Sequence, residues 1–284
     1  MKRILCSLLI IGLSTQLNAQ CIDSTRIYHV PSQFTGQEYE LFVSVPQSYR
    51  DKDTTIYPIV YVLDGNFMFR VMQTAYSALR DVEAVRDMII VGVGYKGSST
   101  VMQSMENRTP DYTPSKDTAF ERMLLDYKLN VRTGEAAKFA TALQKEIIPF
   151  VETKYRTKER GLAGHSFGGL FGAYALFNEP SLFQNYILSS VSLEWHNFKL
   201  LQVEKDFYTA GNRNLSTRVL ITVGEEEDKA RMIDPMKKFV NAIREHAYNG
   251  LSLTDRIIRY EDHSSAYLAA FSQGLKLLYK KSPN

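Results

Sequence analysis

The chain of 284 residues has few cysteines, little net charge and no long apolar run outside its N-terminus. Of its two cysteines, Cys6 falls in a segment predicted to be removed, which leaves Cys21 without an intramolecular disulfide partner. A net charge of only +3 gives no basic face for nucleic acid. No later stretch reaches the roughly 20 apolar residues of a membrane helix. No H-E-x-x-H or similar ligand pair is present, so neither a metal nor another cofactor is expected.

The N-terminus is typical of an export signal. A positively charged start precedes an apolar block over 4–13, and Ala19 supplies a small residue at a cleavage point. The sequence therefore predicts a signal peptide over 1–19 and a mature domain over 20–284, either periplasmic or secreted. A lipid anchor on Cys21 is the less favoured alternative, because no small residue directly precedes that cysteine.

Apolar runs and amphipathic segments alternate along the mature chain. Residues 56–63 and 88–93 are dense in β-branched side chains, as in strands buried on both faces, and residues 69–85 between them have helical spacing. Strand, helix, strand is the pattern of a parallel sheet. The other predicted strands are 26–30, 39–46, 161–163, 186–189, 219–223 and 257–260, and the other predicted helices are 133–155, 167–177, 235–247 and 266–279.

This order of elements predicts an α/β fold, a doubly wound and mostly parallel sheet with helices on both faces. An apolar content of 44% is sufficient for the core of one such domain. Segment 96–132 shows little clear periodicity except around Phe120 to Leu129, and both this segment and 194–217 are predicted to be irregular excursions that border a cleft. In open sheets, reactive groups collect in the loops at the carboxyl ends of the strands, so we expect functional residues there.

The segment Gly164-His-Ser-Phe-Gly168 fits the pattern G-x-S-x-G. The pattern alone is weak, but here it stands between a short strand and a helix rich in glycine and alanine, as a nucleophile elbow does. Glycines two residues away on either side would avoid collisions around a serine of positive φ. We therefore expect Ser166 to be a nucleophile at a helix N-terminus that favours negative charge. A merely structural glycine-rich turn is the alternative.

A serine hydroxyl needs a neutral imidazole to take its proton, and the imidazole needs a carboxylate to orient it. Downstream of Ser166, His263 follows a strand in a loop, whereas His246 falls inside a predicted helix. We predict His263 as the base. The acid should follow strand 219–223, and spacing alone does not choose among the four carboxylates there, which are Glu225, Glu226, Glu227 and Asp228.

Acyl transfer also needs two donors aimed at the developing oxyanion. One should be the backbone N–H of Phe167, directly after the nucleophile. The other should be the N–H of Asn66, in the turn Asp64-Gly-Asn66 at the end of strand 56–63. The same three residues are also a common turn sequence.

Taken together, these residues resemble the Putative esterase family of α/β hydrolases. The similar segments are Leu63-Asp-Gly-Asn66, Val91-Gly-Val-Gly-Tyr95, Arg108 with Asp111-Tyr-Thr-Pro114, Ile147 to Arg156, Gly164 to Leu170, Leu182-Phe183, Ser190 to Trp195, Gly224-Glu-Glu-Glu227 and His263-Ser-Ser265. The family includes esterase D, feruloyl esterases, mycolyltransferases and siderophore trilactone esterases, and the likeness is greatest to the last branch. The resemblance implies the α/β-hydrolase fold.

The resemblance also implies roles for single residues. The branch places Gly, two residues and then Glu after this strand, which implies Glu227 as the acid, with Asp228 as second choice. Asn66 would lie at the oxyanion hole, and Arg108 would face the substrate cleft, where a guanidinium can pair with a carboxylate or stack on a ring. The other residues expected to contact substrate are Trp195, Asp64 and His165.

Two departures from the family border the cleft. Glu194 stands where the family has an aromatic residue, and an insertion occupies 115–132, so a triscatecholate substrate does not carry over directly. The sequence predicts an exported serine carboxylic-ester hydrolase that acts on a small-molecule ester through an acyl-enzyme. The alternatives are a feruloyl or acetyl esterase acting on polysaccharides, an acyltransferase, and a non-catalytic binding protein on the same fold.

Overall fold

The computed structural model describes residues 25–50, 54–98 and 101–281. The predicted signal segment and Cys21 lie outside the described residues. The strands are β1 (Arg26–Pro31), β2 (Glu38–Ser44), β3 (Tyr57–Leu63), β4 (Ile89–Tyr95), β5 (Thr157–His165), β6 (Asn185–Ser189), β7 (Arg218–Gly224) and β8 (Ser252–Ile258). The α-helices are α1 (Gly65–Asp81), α2 (Val101–Tyr112), α3 (Thr118–Asp126), α4 (Ala136–Ala142), α5 (Ile148–Glu152), α6 (Phe167–Asn178), α7 (Trp195–Thr209), α8 (Asp234–His246) and α9 (Ala266–Leu278).

The eight strands form a sheet in the order β1-β2-β4-β3-β5-β6-β7-β8. Strands β1, β2 and β4 pair antiparallel, and the neighbours from β4 to β8 are all parallel. Helices cover both faces, which confirms the predicted α/β fold with a doubly wound, mostly parallel sheet.

The central strand β3 shows how the two faces are covered. Successive side chains of a strand point to opposite faces. Val60 and Val62 belong to an apolar cluster with residues of α1 and α9, whereas Ile59 and Tyr61 belong to a larger cluster with residues of α4, α6 and α8. Every residue of β3 is buried, which explains its unbroken apolar sequence.

The prediction of one continuous helix over 133–155 is wrong in detail. Helix α4 is followed by a π-helical turn over Leu143–Ile147, and α5 then continues to Glu152. Pro149 has no N–H to donate to the preceding turn, so the hydrogen-bonding pattern shifts where the helix approaches it.

The prediction that 96–132 and 194–217 are irregular is also wrong. Helices α2 and α3 lie in the first segment and α7 lies in the second. Helix α3 overlaps the periodic stretch around residues 120–129. The other two are harder to see, because α2 contains Pro110 and the first turn of α7 is left-handed, with positive φ at residues 196–198. A helical period is hard to recognise in segments so short or interrupted.

The last strand is displaced from its predicted position at 257–260. Strand β8 ends at Ile258, and Tyr260 lies in a turn with a φ of 60°. Four of the seven residues of β8 are polar and only Ile258 is buried, because β8 is an edge strand paired with β7 and needs no continuous apolar run.

The strand order places five loops side by side. Strands β3, β5, β6, β7 and β8 are parallel neighbours, so their carboxyl ends meet at the same edge of the sheet. This is where open sheets of this kind hold their reactive groups. The first residues of the five loops are Asp64, Ser166, Ser190, Glu225 and Arg259.

Candidate active site

Ser166 alone forms the turn between β5 and α6. Its φ is 57° and its ψ is −117°, a conformation that residues with a side chain rarely adopt. A Cβ at Gly164 would lie 2.3 Å from the carbonyl oxygen of Gly168, so only glycine fits there. A Cβ at Gly168 would meet no atom closer than 3.4 Å, which is an ordinary contact, so the expected collision occurs on one side of Ser166 only.

The side chains of the three predicted reactive residues form a hydrogen-bonded chain. The Oγ of Ser166 lies 3.1 Å from Nε2 of His263, and Nδ1 of His263 lies 2.8 Å from Oε2 of Glu227. His263 is in the loop after β8, and Glu227 is in the loop after β7. The sheet thus brings together groups that are up to 97 residues apart in the sequence.

The carboxylate of Glu227 is buried and has donors at both oxygens. Its Oε1 accepts hydrogen bonds from the hydroxyl of Ser190 at 2.6 Å and from the backbone N–H of Gly224 at 2.7 Å, while Oε2 faces His263. Burial opposes the charge, but these hydrogen bonds prevail and lower the pKa of Glu227 below its usual value. The carboxylate is therefore ionised at neutral pH and can stabilise a protonated imidazole.

Gly224 allows the loops after β7 and β8 to meet. A Cβ at Gly224 would lie 2.2 Å from the carbonyl oxygen of Glu261, and the N–H of Glu226 donates to that same oxygen at 3.0 Å. This backbone contact holds the loop that bears Glu227 beside the loop that bears His263.

The three carboxylates beside Glu227, those of Glu225, Glu226 and Asp228, are exposed and none of them is bonded to His263 in the described chain. Glu225 accepts a hydrogen bond from the N–H of Tyr260, and Asp228 accepts one from the N–H of Arg231. His246 is the last residue of α8, and its Nδ1 lies 2.6 Å from Oε1 of the buried Glu204. His246 is therefore bonded to Glu204 and not to Ser166. This agrees with the choice of His263 over His246, which was made because His246 falls in a predicted helix.

The turn after β3 fixes Asn66 against the neighbouring strand. The Asn66 side chain accepts a hydrogen bond from the N–H of Tyr95 at 2.7 Å, and a Cβ at Gly65 would lie 2.6 Å from the backbone of β4. Asn66 is the second residue of α1, just as Phe167 is the first of α6. Both predicted oxyanion donors thus belong to first turns of helices, where backbone N–H groups lack intrahelical partners.

Asp64 and Arg108 bind each other beneath this turn. Nε and an Nη of Arg108 donate to the two carboxylate oxygens of Asp64 at 2.7 and 2.9 Å. The guanidinium lies over the rings of Tyr112 and Phe167, 5.2 and 5.4 Å from their centroids. Burial opposes its charge, yet the Asp64 carboxylate raises the pKa of Arg108. Both residues are buried and neither lines the cleft, which differs from the expectation that Arg108 faces it.

His165 is also buried behind the cleft. Its ring centroid lies 4.8 Å from that of His263, and its Nδ1 lies 3.4 Å from the hydroxyl of Ser189. Burial, together with the neighbouring His263, lowers the pKa of His165 to about 3, so its ring is neutral. It packs against the predicted base and does not line the cavity.

A cavity of about 630 Å³ opens in front of Ser166 and His263. Trp195 forms one wall of it, with its ring centroid 5.0 Å from that of Phe120 and 5.3 Å from that of Phe167. Trp195 is therefore the predicted substrate contact that the structure places in the cavity.

Sequence reasoning gave no role to two serines in the loop after β6, although both lie in a segment that resembles the family. Ser190 donates to Glu227, and the Ser192 hydroxyl lies 3.3 Å from the Ser166 hydroxyl. The rule that reactive groups follow the carboxyl ends of parallel strands could have found both, because β6 lies between β5 and β7.

Within residues 25–50, 54–98 and 101–281, no group of three or more His, Cys, Asp or Glu side chains is arranged to hold a metal ion. No helix in the same ranges is both long and apolar enough to cross a membrane.

The chain matches the model of the family described as Putative esterase over residues 32–276. It is 26% identical over 267 residues to the ferri-bacillibactin esterase BesA of Bacillus subtilis, with 91% of each chain covered. It is 26% identical over 278 residues to the siderophore triacetylfusarinine C esterase of Aspergillus fumigatus, covering 87% of this chain and 91% of that protein. The crystal structure of the BES protein from Bacillus cereus superposes with a TM-score of 0.77 at 27% identity, over 99% of this chain and 100% of the other. These likenesses support an esterase activity.

Replacing Ser190 with alanine should destabilise the fold, because the buried Glu227 carboxylate loses a donor. We expect the free energy of unfolding to fall by about 1–3 kcal/mol in urea denaturation followed by circular dichroism. Ser44→Ala is the matched control, since that hydroxyl is also buried but has no hydrogen-bond partner among the described residues. Equal losses in the two variants would contradict a special contribution of Ser190.

Proposed function

Because the chain belongs to the Putative esterase family, we propose that it is an exported serine esterase that cleaves small-molecule carboxylic esters through an acyl-enzyme. The observation that carries the proposal is the hydrogen-bonded chain from Glu227 through His263 to Ser166, which ends at a cavity. A nucleophile beside a base, with the base oriented by a third group, is the arrangement that acyl transfer requires.

In the proposed reaction, His263 Nε2 takes the hydroxyl proton as Ser166 Oγ attacks the ester carbonyl carbon. The backbone N–H groups of Phe167 and Asn66 would hold the resulting oxyanion. Its collapse expels the alcohol, which receives the proton from His263, and leaves an acyl-enzyme. Water then attacks the acyl group with His263 again as base, and Glu227 stabilises the imidazolium in both steps. The products are the free acid and the alcohol.

The buried residues around this chain would position it and would not touch the substrate. The Asp64–Arg108 pair joins the turn that bears Asn66 to the ring of Phe167, so it would hold both oxyanion donors in place. The neutral ring of His165 would support His263. Trp195 would contact the acyl or alcohol part of the ester.

Hydrolysis is favoured over acyl transfer to another alcohol. The two activities would use the same residues and differ in whether water reaches the acyl-enzyme. The His263 side chain is 45% exposed, which leaves water access to the base. Intact reactive groups at hydrogen-bonding distances argue against a non-catalytic binding protein on the same fold.

Two relatives that cover nearly the whole chain are named as siderophore esterases, which favours a siderophore-type ester as substrate. Feruloyl or acetyl esters on polysaccharides are the second candidate, because the aromatic side chains that line the cavity would also accept an aryl acid.

The export proposal rests on the charged and apolar residues before Ala19. N-terminal sequencing of the protein recovered outside the cytoplasm tests it, and we expect the first residue to be Gln20. Recovery of the intact chain from the cytoplasm would contradict the proposal.

Ser166→Ala should lower kcat for p-nitrophenyl butyrate by at least about 1000-fold, because no other group replaces the nucleophile. The release of p-nitrophenol measures the rate. Ser192→Ala is the matched comparison, since its hydroxyl is adjacent to that of Ser166 but makes no hydrogen bond to His263 in the described chain. A full rate in Ser166→Ala would refute the proposed nucleophile.

Glu227→Gln should lose far more activity than Asp228→Asn, by a factor of at least about 100 in kcat. Each change removes one charge, but only Glu227 is bonded to His263, whereas Asp228 is exposed. The reverse order, measured with the same ester, would move the role of acid to Asp228.

A panel of natural esters tests the substrate class. Among a siderophore trilactone, methyl ferulate and acetylated xylan, the trilactone should have the highest kcat/KM, by at least about tenfold. Product formation is followed by chromatography. A preference for methyl ferulate or xylan would favour the polysaccharide-directed alternative.

A further inference from the structure

Ser192 is a buried residue of the loop after β6, and its hydroxyl lies beside the proposed nucleophile. Its backbone N–H donates to the carbonyl oxygen of Ser166 at 3.4 Å, and its own carbonyl accepts from the N–H of Trp195 at 3.2 Å. Its hydroxyl oxygen lies 3.3 Å from Ser166 Oγ, which is its one hydrogen-bond partner within residues 25–50, 54–98 and 101–281. Main-chain contacts therefore hold this hydroxyl next to the atom that would attack the ester.

The direction of the hydrogen bond between the two serines follows from the protons of the neighbouring groups. The ionised Glu227 accepts from the N–H at Nδ1 of His263 at 2.8 Å, so Nε2 of a neutral His263 is an acceptor. Ser166 has a single hydroxyl proton and donates it to Nε2 at 3.1 Å. Ser192 is therefore the donor in the serine pair, and Ser166 Oγ is the acceptor.

The strength of Ser166 Oγ as an acceptor changes during the proposed reaction. In the free protein it is a hydroxyl oxygen with lone pairs open to Ser192. In the acyl-enzyme it is an ester oxygen, whose lone pair is delocalised into the carbonyl group, so Ser192 becomes a buried donor with a poor acceptor. Such a donor costs free energy. Attack by water makes the acyl carbon tetrahedral and returns the lone pair to Oγ, so the hydrogen bond strengthens again.

We propose that Ser192 is a catalytic residue for deacylation, whose hydroxyl donates to Ser166 Oγ as the acyl-enzyme is hydrolysed. This inference rests on the proposed esterase function. The water oxygen bonds to the acyl carbon while His263 takes a water proton. The bond from that carbon to Oγ then breaks, and His263 returns the proton to Oγ. Ser192 keeps its own proton throughout and stabilises the departing oxygen.

Acylation should depend much less on Ser192. Oγ accepts from Ser192 both before it attacks the ester and after the carbon has become tetrahedral, so the contact stabilises both states and largely cancels from the barrier. Deacylation starts from the ester, in which the contact is weak, so the contact stabilises its transition state more than its starting state. Loss of the hydroxyl should therefore slow one step selectively, whereas a displaced Ser166 would slow both.

Two measurements on Ser192→Ala separate the steps. One is kcat for p-nitrophenyl butyrate, and the other is the fraction of the protein that is acylated at saturating ester, read by mass spectrometry after a rapid acid quench. Division of kcat by the acylated fraction gives the rate constant of deacylation, and division by the remaining fraction gives that of acylation. Ser44→Ala is the control, because it also removes a buried serine hydroxyl but lies on β2 and does not line the cavity.

In Ser192→Ala the rate constant of deacylation should fall about fivefold, as expected for the loss of one neutral hydrogen bond. The rate constant of acylation should change less than about twofold. The acylated fraction should therefore rise and KM should fall with kcat, while kcat/KM stays within about twofold of the wild-type value. Ser44→Ala should leave both rate constants within about twofold.

Equal falls of the two rate constants in Ser192→Ala would show that Ser192 only holds Ser166 in place and would overturn the inference. An unchanged rate constant of deacylation would overturn it as well, as would a selective fivefold fall in Ser44→Ala. If the wild-type protein released no p-nitrophenol from the ester, the proposed function would fail and this inference with it. Turnover with an acylated fraction that Ser192→Ala does not raise would contradict the inference alone.

Discussion

The candidate site depends on one constraint, the burial of a charged carboxylate beside a histidine. A carboxylate can remain ionised away from water only if donors surround it. Here the donors are the hydroxyl of Ser190, the backbone N–H of Gly224 and the imidazole of His263. Each comes from a different loop or strand end, so the position of Glu227 is defined only when β6, β7 and β8 are neighbours. The parallel order of the sheet is therefore a requirement of the site's chemistry as well as of the core.

The same order explains which residues the sequence could predict. Ser166 lies in a local pattern whose strand–turn–helix context extends over a few residues, and such patterns can be recognised in one sequence. His263 could be chosen because His246 lies in a periodic helical segment. Glu227 could not be chosen in this way, because the sequence does not show which of four adjacent carboxylates is buried. Only the family resemblance favoured Glu227.

Other features could not be predicted because they depend on contacts distant in sequence. Arg108 is 44 residues from its partner Asp64, and nothing near either residue indicates that the two form a buried ion pair. The hydrogen bond from Tyr260 to Glu225 and the end of β8 at Ile258 could not be predicted either. An edge strand needs no apolar period, so its sequence does not mark where it ends. The buried strands and long helices were predictable because their burial imposes a repeating pattern on the sequence itself.

The aromatic residues that line the cavity come from other parts of the chain than the three hydrogen-bonded residues Ser166, His263 and Glu227. Ser166, His263 and Glu227 are held by loops of the sheet, whereas Phe120 belongs to α3 and Trp195 to α7, both in segments outside the strands. Divergence within those two segments can therefore alter which molecules are admitted while the reacting atoms keep their spacing. Two proteins with the same residues in the loops after β5, β7 and β8 could therefore differ in which molecules enter this cavity.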